Sequence, residues 1–298
     1  MATASYAARE HGVRSGMPLR TAAKRCPDAV FLPADNPAYE EASEQVMTIL
    51  HGFDAVVEVL GWDEAFLGAE TEDPEALARD VQRTVLAGTR LACSVGIGDN
   101  LLRAKLATEF GKPAGVFRLT ADNWDEVMAE RPTQALWGIG AKTARKLADR
   151  GLTTVRELAA ADPAALAADL GPSLGPWYVQ LGRGIGRSRV EGMPWVPRSC
   201  SHETTFQQNL EDWTDVRTEV AALARRVAEG VLADGRPAAR MAVKVRFAPF
   251  STSTRSATLE APTTDPDRIE AAALAVLALF TPGRPVRLLG VRAEFERP

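Results

Sequence analysis

Long apolar runs are missing from this sequence. No stretch approaches the roughly 18 consecutive apolar residues that a membrane helix needs. The opening residues, MATASYAARE, also lack the basic-then-apolar layout of a secretory signal. These two absences predict a cytoplasmic protein without a membrane partner.

Cysteine is scarce. The sequence has three cysteines, which is an odd number, and they lie far apart without CxxC spacing: Cys26, Cys93 and Cys200. A disulfide framework needs paired cysteines, and a zinc site needs closely spaced ones. We therefore expect three reduced, mostly buried thiols and no structural zinc.

A net positive charge is lacking too, since 35 Lys and Arg face 39 Asp and Glu, giving −4. Nucleic-acid affinity comes mainly from Lys and Arg on phosphates, so the average argues against such a partner. The average conceals an asymmetry: residues 1–135 contain 13 basic and 21 acidic residues, whereas residues 136–298 contain 22 and 18. The second part is a candidate polyanion-binding region, with ordinary variation of surface charge as the alternative.

Predicted strands and helices alternate in the first 118 residues. Helical spacing or capping signals mark residues 20–25, 36–50, 73–87 and 100–110. Apolar segments typical of strands are residues 30–32, 56–60, 65–67 and 91–98. This alternation predicts a mixed sheet packed by helices, of the α/β or α+β class.

The remainder of the chain changes character twice. Residues 124–184 read as short helices separated by glycine, and the two prolines of residues 193–198 indicate an extended linker. The last hundred residues predict the order βαββαβ, with strands or helices at 204–206, 214–232, 240–247, 254–259, 265–280 and 286–295. This order is that of a split βαβ sandwich.

A Gly-x-Gly turn precedes a basic helix in the sequence LWGIGAKTARKL, residues 136–147. Gly138 and Gly140 lack Cβ atoms and so let backbone N–H groups approach a phosphate, while the helix N-terminus and Lys142 add positive charge. This pattern is typical of a helix-hairpin-helix motif that binds DNA. The alternative is an ordinary tight turn between packed helices.

A basic strand lies in the last unit. Residues 235–259 contain five basic residues and no acidic one. Alternation places Arg240, Lys244 and Arg246 on one face of the strand and the large apolar residues on the other. Such a face could contact a duplex backbone without reading its sequence, and a solvated basic face without a ligand is the alternative.

Asp63 and Glu64 lie between two predicted strands. Adjacent carboxylates are commonly a mere polar turn. They can also hold divalent cations, and a pair of Mg²⁺ ions can activate a 3′-hydroxyl and neutralise a triphosphate.

Three blocks resemble the DinB-type, or DNA polymerase IV-type, Y-family DNA polymerases. TASYAAREHGVRSGMPL, residues 3–19, is similar to their finger segment, with Ala7 as the one departure from its core. VLGWDEAFL, residues 59–67, is similar to their metal-binding turn, with Gly61 replacing the usual Ser. Residues 94–115 resemble a third block, in which Leu101 stands where Lys is usual. The resemblance covers essentially the whole chain.

The resemblance implies an α+β right hand that copies damaged template DNA. Its palm is a mixed sheet, its fingers are small, its thumb is helical with the helix-hairpin-helix motif, and a βαββαβ little finger follows. The implied boundaries are 1–34 for the fingers, 35–118 for the palm, 119–187 for the thumb, 188–198 for the linker and 199–298 for the little finger.

The resemblance also implies a set of site residues. Asp63 would bind metal and Glu64 would complete the carboxylate cluster, with two Mg²⁺ ions as cofactors. The implied nucleotide-binding residues are Thr3, Tyr6, Arg9 and Lys112. The DNA-binding residues predicted from the glycine turn, the basic strand and the last unit are Gly138, Gly140, Lys142, Arg240, Lys244, Arg246 and Arg287.

The implied partners are primer–template DNA and a dNTP, bound by a monomer. A sliding clamp is a further candidate partner, although residues 292–298 show no clear clamp-binding peptide. A helix-hairpin-helix glycosylase or nuclease would explain residues 136–150 but not the block at 3–19.

One expected element has no counterpart in the sequence. Family palms contribute a further metal-binding aspartate from an initial strand that reads like His-x-Asp-x-Asp-x-Phe, and residue 1 matches a point about forty residues into such chains. We therefore expect the 298 residues to polymerise poorly or not at all, with an exposed sheet edge. A truncated or misassigned start is the favoured cause, and a non-catalytic, DNA-binding accessory paralogue is the alternative.

Overall fold

The computed structural model describes residues 2–296, which fall into two compact units that divide between Pro194 and Trp195. Met1, Arg297 and Pro298 lie outside the described residues, and with them the end of the segment considered for a clamp-binding peptide. Within residues 2–296 no helix is both long and apolar enough to cross a membrane.

Helices dominate the N-terminal unit. Those of its described residues are Tyr6–Glu10 (α1), Leu19–Arg25 (α2), Asn36–Leu50 (α3), Pro74–Thr89 (α4), Leu101–Gly111 (α5), Trp124–Met128 (α6), Ala141–Ala148 (α7), Val155–Ala160 (α8), Pro163–Leu170 (α9) and Leu174–Gly182 (α10). The strands are Val56–Gly61 (β1), Glu64–Gly68 (β2), Val95–Ile97 (β3) and Val116–Arg118 (β4).

The strands β1 and β2 form an antiparallel hairpin whose turn contains Asp63. One face of the hairpin packs on α3 and α4, because Val57 and Leu67 join Leu50 and Val85 in one apolar core. Asp35 and Asp73 cap these helices by accepting hydrogen bonds from backbone N–H groups. The predicted cap of α4, Asp73, is confirmed, whereas α3 is capped by Asp35 rather than by the predicted Asn36, which is the first residue of the helix.

The predicted mixed sheet is present as two separate pairs of strands within residues 2–194. The pair β1–β2 is antiparallel and the pair β3–β4 is parallel. The prediction of a strand at residues 30–32 was wrong: this stretch is extended coil, with Val30 83% and Leu32 82% exposed. A strand needs a neighbour for its backbone N–H and C=O groups, and no described strand pairs with it. The strand predicted over 91–98 is confined to β3.

The other face of the hairpin is covered by residues 187–192. Arg187 donates from Nη2 to Glu58 Oε1 (2.5 Å), and the backbone N–H of Glu191 donates to Glu58 Oε2 (2.7 Å). Val190 lies so close to Gly68 that a Cβ there would approach it to 2.9 Å. The hydrogen bond from Arg187 holds the pKa of Glu58 below its ordinary value. This contact ties the last segment of the unit back to β1.

Residues 119–186 form a helical region around buried Leu119, Leu147 and Leu158. Thr154 and Glu157 form a reciprocal capping box at the start of α8. The backbone N–H of Thr154 donates to Glu157, which lowers the pKa of this exposed carboxyl to about 2. The short helices predicted for this stretch are confirmed.

The C-terminal unit is a four-stranded antiparallel sheet backed by two helices. Its elements are Ser199–Leu210 (β5), Trp213–Asp234 (α11), Ala238–Phe247 (β6), Ser251–Thr263 (β7), Pro266–Leu277 (α12) and Val286–Phe295 (β8). The strand order is β5-β8-β6-β7, with β6 and β8 central. Both helices pack on one face of the sheet, where Val243, Leu289 and Val227 are fully buried. The βαββαβ order and the α+β class predicted from the sequence are confirmed.

The three cysteines are free thiols. Each is largely though not fully buried, in agreement with the expectation of mostly buried thiols. Desolvation raises the pKa of Cys93 and of Cys200.

The two glycines of the 138–140 turn offer a test of the turn itself. Gly138 has φ +96°, and a Cβ there would meet Trp177 at 2.8 Å, whereas Gly140 has φ −81° with open space around it. We predict that Gly138→Ala lowers the free energy of unfolding by about 2 kcal/mol or more through backbone strain and overpacking.

Gly140→Ala is the matched control and is expected to change stability by no more than about 0.5 kcal/mol. The measurement is denaturant unfolding of the two variants beside the parent chain. Equal stabilities of the two variants would contradict the turn geometry.

Candidate functional site

The hairpin turn presents two carboxylates to solvent. Asp63 lies in the turn and Glu64 is the first residue of β2, and both residues are exposed. The side chain of Asp63 makes no hydrogen bond or ion pair with any other described residue. Two adjacent hard oxygen donors of this kind suit Mg²⁺, which prefers carboxylates and retains several waters. No cluster of three or more His, Cys, Asp or Glu within residues 2–296 could hold a metal ion.

Glu64 has one partner, the ammonium group of Lys105 on α5, which donates to Glu64 Oε1. The side chain of Lys105 is 19% exposed and that of Glu64 is 45% exposed. Residues Leu102, Leu106 and Ala107 of the same helix are buried. The ion pair therefore links the hairpin β1–β2 to α5, the helix that packs on the other pair of strands.

A ring contact links the hairpin to the turn before α7. Trp137 meets Phe66 edge-on, with ring centroids 6.4 Å apart and an interplanar angle of 63°. Phe66 lies two residues beyond Glu64 on β2 and is buried, whereas Trp137 is 46% exposed. The residue before the glycine turn at 138–140 thus packs on β2, two residues beyond Glu64.

The first helix brings together three of the residues implied for nucleotide binding. Tyr6 and Arg9 lie on α1, and Thr3 is exposed just before it. The guanidinium of Arg9 lies 5.2 Å from the Tyr6 ring centroid, and its Nε donates to Ala4 O (3.0 Å). Its two terminal nitrogens make no hydrogen bond with a described residue, so they are available to an anion.

Lys112 follows α5 directly and pairs with Glu109 at 2.5 Å. No hydrogen bond or ring contact joins it to Arg9 or Tyr6 among the described residues. Direct contacts therefore join Tyr6 and Arg9, with Thr3 nearby in sequence, and do not include Lys112.

The predicted phosphate turn has the required backbone. Gly140 is the N-cap of α7, and the first turn of that helix contains the exposed Lys142 and no acidic residue. Gly138 adopts the left-handed conformation that favours glycine. The backbone N–H groups at the start of α7 and the Lys142 ammonium are available to one anion.

The predicted basic face of β6 points away from the helices. Arg240, Lys244 and Arg246 alternate with the buried residues Met241, Val243 and Val245. The register of β7 places Thr252, Thr254, Ser256 and Thr258 beside them on the same face. Arg246 donates to Thr252 Oγ1 (2.9 Å), and Arg240 donates to Ser256 Oγ (2.6 Å).

Acidic groups share this face. Lys244 pairs with Glu203 of β5 at 2.7 Å, and Glu294 of β8 pairs with Arg292. The sheet register aligns these residues with the basic row of β6. This face therefore has a net positive charge. Its four basic residues and two acidic residues lie among hydroxyl groups, and they are Arg240, Lys244, Arg246, Arg292, Glu203 and Glu294.

The other basic residues of the segment lie elsewhere. Arg255 pairs across the sheet with buried Val243 and covers the Phe280 ring, while Arg236 pairs with Asp234. Arg287 lies at a register shift in β8, with its guanidinium 5.0 Å from the centroid of the exposed Phe250 ring. Arg287 is thus offset from the basic row.

Sequence reasoning missed the contacts between distant segments. Lys105 lay within a recognised block, but nothing in the pattern named Glu64 as its partner. The available signal was a single lysine among apolar residues of α5, since a mostly buried ammonium needs an anion. The hydroxyl row of β7 could have been found from the alternation Thr252, Thr254, Ser256 and Thr258.

Family models match most of the chain. The model described as the impB/mucB/samB family matches residues 1–109, and its C-terminal domain model matches residues 197–295. The SAM-like helix-hairpin-helix tandem model matches residues 134–173. The three matches leave short gaps on either side of the helical region.

Solved structures share the fold. A chimera of the Y-family DNA polymerases Dbh and Dpo4 superimposes with a TM-score of 0.86 at 23% identity, covering 98% of this chain and 86% of that one. DinB from Sulfolobus solfataricus gives a TM-score of 0.61 at 22% identity, covering 99% and 87%.

Curated relatives extend the match to sequence. DNA polymerase IV 2 of Mycobacterium tuberculosis is 48% identical over 98% of this chain and 85% of the relative. DNA polymerase IV of Methanoculleus marisnigri is 38% identical over 98% and 82%. The chain therefore belongs to the Y-family DNA polymerases of the DNA polymerase IV (DinB) type.

Proposed function

We propose that this protein is a translesion DNA polymerase that adds dNTPs to the 3′-hydroxyl of a primer. The observation that carries the proposal is the turn of β1–β2, which exposes Asp63 and Glu64 in a chain of this family. The relatives are named as DNA polymerases, and a ternary complex of Dbh DNA polymerase is among the structures with this fold. A cytoplasmic monomer, and sliding-clamp use, stay predictions.

Asp63 and Glu64 would hold two Mg²⁺ ions at this turn. When bound, the ions neutralise triphosphate charge and favour ionisation of the attacking 3′-hydroxyl. The hairpin supplies the geometry, because Phe66 and Val57 anchor its two faces in packed surroundings. The carboxylates thus stay in place while substrate enters.

Arg9 is the central residue proposed to bind the incoming nucleotide. Its contacts to Ala4 and Tyr6 fix the guanidinium plane and leave two terminal nitrogens free for phosphate oxygens. Thr3 and Tyr6 would line the same site from α1. Lys112 would release Glu109 and pair with a phosphate of the nucleotide instead.

Two surfaces would hold primer–template DNA through its phosphates. The turn of Gly138 and Gly140 with Lys142 offers backbone N–H groups and one ammonium. The face of Arg240, Lys244 and Arg246 offers cations and hydroxyl groups, and Arg287 flanks it. These groups position a duplex without reading its bases, as a polymerase requires.

We also propose the domain boundaries that the resemblance implies. Fingers would occupy 1–34, palm 35–118, thumb 119–187, linker 188–198 and little finger 199–298. Arg187 and the backbone of Glu191 both donate to Glu58 of β1. These hydrogen bonds support a linker that starts next to the proposed palm.

We predict that this chain extends primers about a hundredfold or more slowly than a form that adds an N-terminal strand with a further aspartate. Two carboxylates alone should hold a pair of Mg²⁺ ions weakly, and losing several kcal/mol of charge stabilisation has this order of effect on rate. The measurement is single-turnover primer extension with Mg²⁺ by both forms.

The edge of β1 opposite β2 pairs with no described strand, so it is open to the strand that the longer form adds. Asp63→Asn in the longer form is the control and should abolish extension. Equal rates of the two forms would refute the impairment. DNA binding without extension by either form would favour the non-catalytic accessory protein.

The proposed DNA-binding face predicts the behaviour of Arg246→Ala. The variant should weaken binding to unrelated duplexes equally and lower the slope of log affinity against log salt by about one unit. Arg255→Ala is the matched control, because it removes the same charge from β7 but its side chain covers Phe280. A loss confined to one DNA sequence, or equal slopes for both variants, would argue against the phosphate contact.

A further inference from the structure

Lys105 is a cation already present at the carboxylate turn. Its side chain is 81% buried, and Glu64 is its one hydrogen-bonding partner among the described residues. Burying an ammonium costs free energy unless an anion lies beside it. The contact with Glu64 compensates for the burial of Lys105. It joins residues 41 positions apart, unlike the local pair of Lys112 with Glu109.

The same carboxylate cannot serve two cations equally. Glu64 is proposed above to bind a divalent ion together with Asp63, while its Oε1 accepts a hydrogen bond from Lys105. An ion held by both side chains would lie a few ångströms from the ammonium, where like charges repel appreciably even at a high effective dielectric constant. Metal binding therefore either displaces Lys105 from Glu64 Oε1 or is weakened by repulsion between the ion and the ammonium.

We propose that Lys105 is a positioning residue that occupies Glu64 in the metal-free protein and sets how tightly the carboxylate turn binds divalent ions. The proposal rests on the function proposed above and deepens it. With Lys105 in place, the turn binds metal weakly by itself. A nucleotide triphosphate offers the displaced ammonium new anionic partners, so metal and nucleotide bind together.

The test is titration of the full 298-residue chain with Mn²⁺ without nucleotide or DNA, followed by electron paramagnetic resonance of the free ion. Lys105→Met keeps most of the aliphatic side chain and removes the charge. We expect its Mn²⁺ affinity to rise about fivefold or more over that of the parent chain. Lys105→Arg, which retains the charge, should stay near the parent value.

Two controls define the site. Lys146→Met makes the same change at an exposed position of α7 and should leave Mn²⁺ affinity unchanged. Glu64→Gln and Asp63→Asn should each weaken Mn²⁺ binding. If neither weakens it, the proposed metal site itself fails. If both weaken it and Lys105→Met binds Mn²⁺ no more tightly than the parent, only the role of Lys105 is overturned.

A second measurement needs no variant. Acylation of lysines in the parent chain, followed by mass spectrometry, reports how available each ammonium is. Mn²⁺ should accelerate acylation of Lys105 by freeing it from Glu64 and leave Lys24 and Lys146 unaffected. If Mn²⁺ leaves the rate at Lys105 unchanged, the displacement is refuted even if Lys105→Met does not fold.

Discussion

The two-faced packing of the β1–β2 hairpin is the constraint on which the N-terminal unit depends. One face supplies Val57 and Leu67 to the core beneath α3 and α4. The other contains Glu58, Glu64 and Phe66, because alternate residues of paired strands share a face. A hairpin of two short strands has little stability alone, so both faces must be covered for the carboxylate turn to hold its position.

Three segments distant in sequence contact the second face in order along β2. Lys105 of α5 meets Glu64, Trp137 meets Phe66, and Val190 lies over Gly68. Each contact joins the hairpin to a different part of the chain, including the glycine turn proposed to bind DNA. The position of Asp63 and Glu64 therefore depends on residues outside the set of predicted site residues. Changes at these contacts should alter metal binding without touching a metal ligand.

Local patterns predicted much of the fold, because capping and alternation are properties of neighbouring residues. Asp73 before Pro74 marked α4, and the apolar period of 286–295 gave β8 with its observed bounds. The strand at 30–32 was wrong because pairing depends on a partner strand, which a local pattern cannot show. The spacing of Tyr6 and Arg9 predicted that they lie one turn apart on a helix. The partners of Glu58 and Glu64 could not be predicted, since those contacts span 129 and 41 positions.

The measurement that tests this account most directly is a crystal structure of the chain with Mn²⁺ and a non-hydrolysable dNTP, with the metal located by anomalous scattering. We expect Mn²⁺ about 2.1 Å from carboxylate oxygens of Asp63 and Glu64, the distance typical of a small hard cation. We also expect that the Lys105 ammonium has left Glu64 Oε1. Anomalous density away from this turn, with Lys105 still on Glu64, would contradict both expectations.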